Sequence, residues 1–228
     1  MTMWFTVRDP RLIEGLAPGD LLSATLVLTA EDHYLTGIAR TGSRAPAGAA
    51  APPPAQPEML PMGALVPDIA LTDEAGRPRA LSSYRGTYTL LTFIYTRCPL
   101  PDYCPRMNAH FAAVQRGLKA DPALGSRVRL LSVSFDPGFD TPAVLAAQAK
   151  AVGADPALWH FVTAPQERVD AFGAALGLSV LREGADGSNI THNLRTALLD
   201  PDGKLARTYN GKEWTPHEVL QDLQALVK

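Results

Sequence analysis

The feature that most constrains the fold is the run Tyr88–Tyr95 (YTLLTFIY), in which every residue is apolar, aromatic or β-branched. A strand exposed on one face alternates polar and apolar residues, so an unbroken run indicates a strand that is buried on both faces. We expect a second buried strand at Val128–Phe135, and Pro105–Lys119 between the two strands spaces its apolar residues as a helix does. Buried strands separated by helices predict an α/β domain with helices on both faces of its sheet.

The rest of this part of the chain alternates in the same way. We expect further helices at Pro142–Val152, Gln166–Leu176 and Thr215–Val227, and further strands at Leu65–Leu71, Arg195–Leu199 and Leu205–Tyr209. The last two strands flank the turn sequence Asp200-Pro201-Asp202-Gly203 and should pair as a hairpin. A hairpin strand runs antiparallel to its neighbour, so the central sheet is predicted to be mixed.

One change of composition divides the chain. Residues 43–57 (SRAPAGAAAPPPAQP) are almost entirely small residues and proline, which is typical of a semi-rigid linker. We therefore predict three parts: residues 1–42, a linker at 43–57, and an α/β domain at 58–228. Residues 1–42 carry expected strands at Met3–Val7, Leu21–Thr29 and His33–Ile38, a small β segment that resembles part of a barrel.

Charge and composition exclude several classes of protein. The formal net charge of −2 and the lack of a long basic run argue against a nucleic-acid-binding protein. No apolar run approaches the length of a transmembrane helix. The start, Met1-Thr2-Met3-Trp4, has no basic segment followed by an apolar one, so it is not a signal peptide. Either the protein is cytosolic, or its true N-terminus lies upstream.

The two cysteines lie where a buried strand gives way to a helix. Cys98 closely follows Tyr88–Tyr95, and Cys104 stands at the start of the next helix. Helix N-termini favour thiolate over thiol, and sites in α/β folds form at the carboxyl ends of strands. A buried structural role is possible for a free cysteine. The setting favours either disulfide exchange or binding of a soft metal such as Cu(I), for which a third ligand is needed.

The five histidines are the candidates for that third ligand. For His33, His110, His160 and His217, a packed or solvated side chain is the simpler interpretation. His192 differs because it lies in an expected loop just before the strand Arg195–Leu199. If that strand neighbours the Cys98 strand, His192 faces the cysteines. The spacing of residues along the sequence does not decide whether the two strands are neighbours.

A series of short motifs resembles the Sco/SenC family of thioredoxin-fold copper chaperones across nearly all of 60–228. The matching stretches, in order, are VPDIALTDEAG (66–76), LSSYRG (81–86), FIYTRCP (93–99), DYCP (102–105), SVSFDP (132–137), DTP (140–142), WHF (159–161), THNLRT (191–196) and DPDG (200–203). No single motif decides the resemblance, but their order and spacing together are specific.

The resemblance implies a thioredoxin-like domain that binds copper through Cys98, Cys104 and His192. It implies delivery of copper to an apo copper protein, the copper centre of a respiratory oxidase, and a thiol–disulfide reductant that keeps the cysteines reduced. It also implies a periplasmic or otherwise extracytoplasmic location, with membrane anchoring through an upstream N-terminus as one form of it. Asp102 and Asp136 match acidic residues near the family's site and are candidates for supporting the ligands.

Two departures from known patterns bear on the chemistry. The family's usual motif has three residues between the cysteines, whereas this chain has five, with Leu100 and Pro101 as the apparent insertion. The longer loop could loosen the copper geometry or separate the thiols too far for a disulfide. At the position where thioredoxins carry a proline facing their cysteines, this chain has Arg195, which favours metal binding over simple disulfide reduction.

The N-terminal part carries a second resemblance. Met1-Thr2-Met3 and the residues after it are similar to the second half of CusF-like copper-binding barrels, in which two methionines bind Cu(I). The barrel's earlier strand is absent, so Met1 and Met3 are at most half a site, and an ordinary structural role stays open. Met59 and Met62, after the linker, could also touch copper but are more simply apolar residues at a domain edge.

Three alternatives to a copper chaperone remain open. The chain could be a thiol–disulfide oxidoreductase that keeps a partner's metal-binding cysteines reduced. It could be a peroxidase-type thiol enzyme in which Thr96 and Arg97 activate Cys98. It could also be a copper store or sensor with no delivery step.

Overall fold

The computed structural model describes residues 6–7, 9–17, 19–28, 33–43, 59–183 and 189–227. The chain divides into two compact units, Met1–Gln56 with Leu181–Thr191, and Pro57–Val180 with His192–Lys228. Among the helices in these described ranges, none has both the length and the apolar character needed to cross a bilayer.

The smaller unit contains a three-stranded sheet. Its strands are β1 (Thr6–Val7), β2 (Asp20–Leu28) and β3 (His33–Ser43), in the order β1-β3-β2. β2 pairs antiparallel with β3, and β1 pairs parallel with β3. The expected strands at Leu21–Thr29 and His33–Ile38 are therefore present, the second one longer than predicted. Of the expected strand Met3–Val7, only its last two residues are described.

The larger unit is built on a seven-stranded mixed sheet in the order β12-β11-β6-β7-β8-β4-β5. Its strands are β4 (Ala70–Asp73), β5 (Pro78–Ala80), β6 (Tyr88–Ile94), β7 (Val128–Ser134), β8 (Trp159–Thr163), β11 (Arg195–Leu199) and β12 (Leu205–Asn210). Its helices are α1 (Cys104–Ala120), α2 (Pro122–Arg127), α3 (Pro142–Ala151), α4 (Gln166–Ala175) and α5 (Pro216–Leu226). A separate two-stranded sheet pairs β9 (Val180–Glu183) with β10 (Asn189–His192), and the residues of these strands between Leu181 and Thr191 belong to the smaller unit.

The strand predicted from the unbroken apolar run, β6, lies at the centre of the large sheet. All seven residues of β6 are buried. β6, β7 and β8 are parallel neighbours, and β11 lies on the other side of β6 in the antiparallel direction. The prediction of an α/β domain with a mixed central sheet is confirmed.

Helices cover both faces of this sheet. Phe93 of β6 packs against Phe172 of α4, with ring centroids 5.8 Å apart. Trp159 of β8 packs against Phe111 of α1, also at 5.8 Å. Phe93 shares its row with Val162, which lies three residues after Trp159, so the two aromatic contacts are on opposite faces.

The sequence interpretation was wrong about one strand and missed several elements. The expected strand Leu65–Leu71 is replaced by β4, and Leu65 makes only an isolated bridge to Lys204. Pro67 lacks the N–H that a strand there would donate, and Asp68 instead accepts hydrogen bonds from the Ser82 amide and hydroxyl. The missed elements are β5, α2, β8, β9 and β10.

The contact between α1 and α2 generates the first prediction. A Cβ atom on Gly125 of α2 would lie 2.5 Å from the carbonyl oxygen of Leu118 in α1, so an added methyl group forces the backbone apart. We expect Gly125→Ala to lower the free energy of unfolding by about 1–3 kcal/mol, despite the better helix propensity of alanine. Urea denaturation measures this difference.

Gly138→Ala is the matched control, because a Cβ atom there meets nothing within 4 Å and its φ is not positive. We expect it to leave the free energy of unfolding unchanged or slightly increased. Equal stability of the two variants would contradict the close approach of α1 and α2.

Candidate functional site

Strand pairing brings three chain segments to one edge of the large sheet. β6 and β11 are antiparallel with Thr92 opposite Thr196, so the chain leaving β6 and the chain entering β11 lie side by side. β7 is parallel to β6 with Ser134 beside Ile94, so the residues after β7 reach the same edge. The cysteine loop follows β6, and His192 precedes β11.

The two cysteines meet at this edge. Cys104 is the first residue of α1 and is 2% exposed, whereas Cys98 is half-buried in the preceding loop. Both thiols are free, and their side chains are hydrogen-bonded to each other. The Cys98 amide donates to the Tyr95 carbonyl at 3.4 Å, and the Cys98 Sγ lies 3.9 Å from the Leu100 carbonyl oxygen.

The inserted residues form a turn between the cysteines. The Tyr103 amide donates to the Leu100 carbonyl at 3.1 Å, which closes a four-residue turn with Pro101 at its second position. Proline is favoured at that position because its fixed φ matches the turn. The longer loop therefore folds back on itself, and the two thiols remain in hydrogen-bond contact.

The shared hydrogen bond separates the acidities of the two thiols. It lowers the pKa of Cys98 to about 4, assisted by a hydrogen bond from His192 and opposed by burial. The same hydrogen bond, together with burial, raises the pKa of Cys104. Burial and the neighbouring Cys98 also raise the pKa of the Tyr95 hydroxyl. Cys98 is thus the thiolate of the pair, and Cys104 is its hydrogen-bond donor.

His192 completes the set of contacts to Cys98. Its Nδ1 lies 2.7 Å from the Asn193 carbonyl oxygen, so the proton on Nδ1 is donated there and Nε2 is left for Cys98. Its ring packs on Phe135 at 4.8 Å and on Tyr95 at 5.5 Å between centroids. The expectation that His192 lies in a loop was wrong, because it is the last residue of β10.

Cys98 therefore contacts both other predicted ligands. Nevertheless, within the described ranges no three His, Cys, Asp or Glu side chains are already arranged as a metal-binding group. The three side chains are joined pairwise through Cys98 rather than grouped around one central point. A metal ion would have to draw Cys104 and His192 toward a shared position.

Comparison with known proteins decides the family. The model of the SCO1/SenC family matches residues 58–228. The chain belongs to the SCO1/SenC family.

Individual relatives agree with this assignment. A SCO1 protein homolog from Bacillus subtilis is 29% identical over 167 residues, covering 72% of this chain and 84% of the relative. The solved structure of BsSco, described as having a disulfide switch and as a member of the Sco family of cytochrome c oxidase assembly proteins, is 28% identical with a TM-score of 0.62. It covers 74% of this chain and 96% of its own.

A third relative is Bradyrhizobium japonicum ScoI, whose structure was solved with copper bound. It is 25% identical with a TM-score of 0.59, covering 71% of this chain and 99% of its own. The thioredoxin-like fold implied by the sequence motifs is confirmed by these structures.

Both acidic candidates from the family motif form ion pairs. Asp102 pairs with Arg106 at 2.9 Å and with Lys212 at 3.5 Å. Asp136 accepts from the Arg97 guanidinium at 2.7 Å, and the same guanidinium lies 5.0 Å from the ring centroid of Phe139. The two aspartates thus anchor the segments on either side of Cys98, and their role in supporting the metal ligands stays a prediction.

A buried carboxyl group beneath the site was not singled out from the sequence. Asp140 is 0% exposed and accepts hydrogen bonds from the Thr96 amide at 3.1 Å, the Thr96 hydroxyl and the Ser134 hydroxyl. Burial raises its pKa, although these hydrogen bonds oppose the shift. In the sequence, Asp140-Thr141-Pro142 indicated the start of a helix, whose cap is Thr141, and matched a family motif, but neither assigned Asp140 a role at the site. Asp140 ties the segment after β6 to the segment after β7.

The remaining histidine and methionine candidates lie elsewhere or outside the described residues. His160 is buried, with its Nδ1 3.0 Å from Glu74, and His110 packs on Trp214 with centroids 4.7 Å apart. His217 is exposed on α5, and the side chain of His33 is not described. Met59 and Met62 are exposed in the larger unit, and Met1 and Met3 lie outside the described residues.

The acidity of Cys98 generates the second prediction. Because its thiolate form persists far below neutral pH, we expect iodoacetamide to alkylate Cys98 at nearly the same rate at pH 6 and pH 8. The buried Cys104, with its raised pKa, should remain unlabelled. Mass spectrometry of the reduced protein after timed quenching identifies the labelled residue and gives the rate.

The Cys104→Ala variant supplies the control, because it removes the largest cause of the low pKa. Its Cys98 alkylation rate should rise steeply with pH between 6 and 8, as that of an ordinary thiol does. A parent protein that shows the same steep rise would contradict the hydrogen bond between the thiols.

Proposed function

We propose that this chain binds one copper ion through Cys98, Cys104 and His192 and delivers it to the copper centre of a respiratory oxidase. The observation that carries the proposal is the contact of the Cys98 thiol with both Cys104 and His192. The family assignment supports it, since ScoI was solved with copper bound and BsSco is described as belonging to a family of oxidase assembly proteins.

The ligand chemistry fits copper as the transferred ion. Two thiolates and one imidazole are soft donors of the kind that select Cu(I). His192 holds its Nδ1 proton on the Asn193 carbonyl, which orients the ring and leaves Nε2 as the coordinating nitrogen. Cys98 is already a thiolate near neutral pH, so the protons that copper displaces are those of the hydrogen bonds that Cys104 and His192 Nε2 donate to its sulfur.

The position of the site also fits transfer of the ion to another protein. Cys98 and His192 are half-buried at the edge of the sheet, and the prolines on either side of Leu100 are exposed. An acceptor's ligands can therefore approach the copper while its original ligands still hold it. An apo subunit of the oxidase would be the acceptor, and a separate thiol reductant would keep the cysteines able to bind. Both would meet this chain in an extracytoplasmic compartment.

Copper titration is the third prediction and tests the ligand set. We expect the fully reduced protein to bind one Cu(I) against a competing chelator. Cys98→Ser, Cys104→Ser and His192→Ala should each weaken the affinity by more than about tenfold, since even outer hydrogen-bond partners of metal ligands contribute that much. His217→Ala is the matched control, because His217 is exposed on α5, and it should bind as the parent does.

Each outcome of the titration has a separate meaning. If His192→Ala binds as tightly as the parent, the three-ligand site is wrong. If no cysteine variant binds less copper, the cysteine pair is a redox centre rather than a metal site. Transfer of bound Cu(I) to the apo copper domain of an oxidase then separates a chaperone from a store.

A thiol–disulfide oxidoreductase is the second candidate function. It is favoured by the contact between the two thiols and by the acidity of Cys98, which suit a nucleophile and its resolving partner. For this function we expect turnover of a protein disulfide that survives His192→Ala and is lost in Cys98→Ser. Turnover that disappears with His192→Ala would contradict it.

A further inference from the structure

Tyr95 contacts every predicted copper ligand, although the sequence pointed to it only as the last residue of a buried run. Its hydroxyl is hydrogen-bonded to the Cys98 sulfur, and its backbone amide donates to the Cys104 sulfur. Its ring stands edge-on to His192, with centroids 5.5 Å apart and an interplanar angle of 83°. Tyr95 is 6% exposed, so it makes these contacts largely out of solvent.

The fold holds the Tyr95 ring in place. Tyr95 directly follows β6, and Phe135 directly follows β7, the parallel neighbour of β6. The centroids of these two rings lie 5.4 Å apart, and the Phe135 ring also contacts His192 at 4.8 Å. Aromatic rings at such distances attract one another beyond the area that they bury. Packing on two sides therefore opposes any rotation that would carry the Tyr95 hydroxyl away from Cys98.

The Tyr95 hydroxyl is the donor in its hydrogen bond to Cys98. Burial, and after it the neighbouring Cys98, raise the pKa of this hydroxyl, so it keeps its proton near neutral pH. A thiolate has no proton to donate, so the hydroxyl donates and the sulfur accepts. A hydrogen bond with an ionised partner is roughly twice as strong as one between neutral groups.

Tyr95 differs from the other two side chains that donate to Cys98. Cys104 and His192 are themselves predicted ligands, so their hydrogen bonds to Cys98 end when their own sulfur and nitrogen atoms bind copper. A protonated phenol is a poor ligand for a soft ion. A thiolate sulfur that binds one metal ion still has a lone pair that can accept a hydrogen bond. The Tyr95 hydrogen bond can therefore persist in the copper-bound protein.

We propose that the Tyr95 hydroxyl is a positioning group that tunes the Cys98 sulfur and makes the site favour Cu(I) over Cu(II). The inference rests on the proposed function, because it names the oxidation state in which the site holds its ion. The site with Cu(I) carries one more negative charge than the same site with Cu(II), and a donor to the sulfur stabilises the more negative form more strongly. Hydrogen bonding around a cysteine sulfur is a known means by which proteins set the potential of bound copper.

The fourth prediction concerns Tyr95→Phe, which removes the hydroxyl and keeps the ring. In the metal-free protein, glutathione redox buffers measure the equilibrium between the Cys98–Cys104 disulfide and the two thiols. The hydroxyl stabilises the thiolate of the reduced form and has no charged acceptor in the disulfide. We expect the equilibrium constant for reduction to fall about tenfold, the low end of what a hydrogen bond to a charged group contributes, which is about 30 mV for this two-electron couple.

The copper-bound protein gives a second measurement. Competition with chelators for each ion yields the dissociation constants for Cu(I) and Cu(II), and their ratio gives the potential of the bound copper. We expect Tyr95→Phe to weaken Cu(I) binding about tenfold more than Cu(II) binding, which lowers this potential by about 59 mV. The thiolate-to-Cu(II) charge-transfer band should move to longer wavelength, because a sulfur that has lost its hydrogen bond releases an electron more easily.

Tyr88→Phe is the matched control, because it makes the same substitution at the other end of β6. Tyr88 is buried, and its hydroxyl donates to the Leu226 carbonyl at 2.9 Å. Loss of this hydrogen bond should lower the free energy of unfolding, yet the disulfide equilibrium and the copper potential should stay as in the parent. If Tyr95 has a merely structural role, Tyr95→Phe should behave as Tyr88→Phe does.

The outcomes separate this inference from the copper proposal. If the parent binds copper and Tyr95→Phe leaves both measurements unchanged, the role of Tyr95 is wrong and the proposed function stands. A shifted disulfide equilibrium with an unchanged copper potential also overturns the inference, because the hydrogen bond then ends when copper binds. If the parent binds neither copper ion, the proposed function and the preference for Cu(I) both fail. The disulfide equilibrium of the metal-free proteins then decides whether the hydroxyl stabilises Cys98 as a redox thiol.

Discussion

The pairing of β6 with two different neighbours is the constraint on which the site depends. The antiparallel partner, β11, begins where β6 ends, and the parallel partner, β7, ends there as well. One edge of the sheet therefore receives the cysteine loop, the chain that carries His192, and the loop that carries Asp136 and Asp140. If β11 were parallel to β6, its entry would lie at the opposite edge and His192 would be far from the cysteines. The single change of strand direction at β11 allows ligands from distant parts of the sequence to meet.

Cys98 is held by the same groups that would share a copper ion with it. The Cys104 thiol and His192 donate hydrogen bonds to its sulfur, which stabilises a thiolate that would otherwise be costly in a half-buried position. Copper would replace those hydrogen bonds with coordination bonds, and a disulfide would replace one of them with a covalent bond. The hydrogen-bonded thiolate, the copper-bound site and the disulfide are therefore three alternatives for the same Cys98 sulfur. The free energy of copper binding therefore depends on how strongly the two hydrogen bonds already satisfy Cys98.

The elements that could be predicted from the sequence are those whose buried residues form an unbroken or periodic pattern of apolar side chains. β6 and β11 were placed nearly to the residue, because their residues are buried by neighbours on both sides. β8 was missed because it has only five residues, WHFVT, and a polar histidine interrupts its apolar pattern. The hydrogen bond between this histidine and Glu74, which allows it to be buried, is visible only in the structure. Within the site, Cys98, Cys104 and His192 could be predicted as a set only because they match the family motifs. Asp140 and the hydrogen bond between the thiols depend on how separate loops pack, which no local pattern records.

The inserted residues show how a local departure from a family pattern can leave the site intact. A five-residue spacer could have carried Cys98 away from Cys104, but Leu100 and Pro101 are absorbed in a turn closed by the Tyr103 amide. Asp102, at the third position of that turn, is anchored to Arg106 and Lys212. Each exposed ion pair contributes little stability alone, yet both restrict where the turn can move. The extra length thus projects outward from the sheet edge. We therefore expect it to alter the surface that a partner contacts more than the distance between the sulfur atoms.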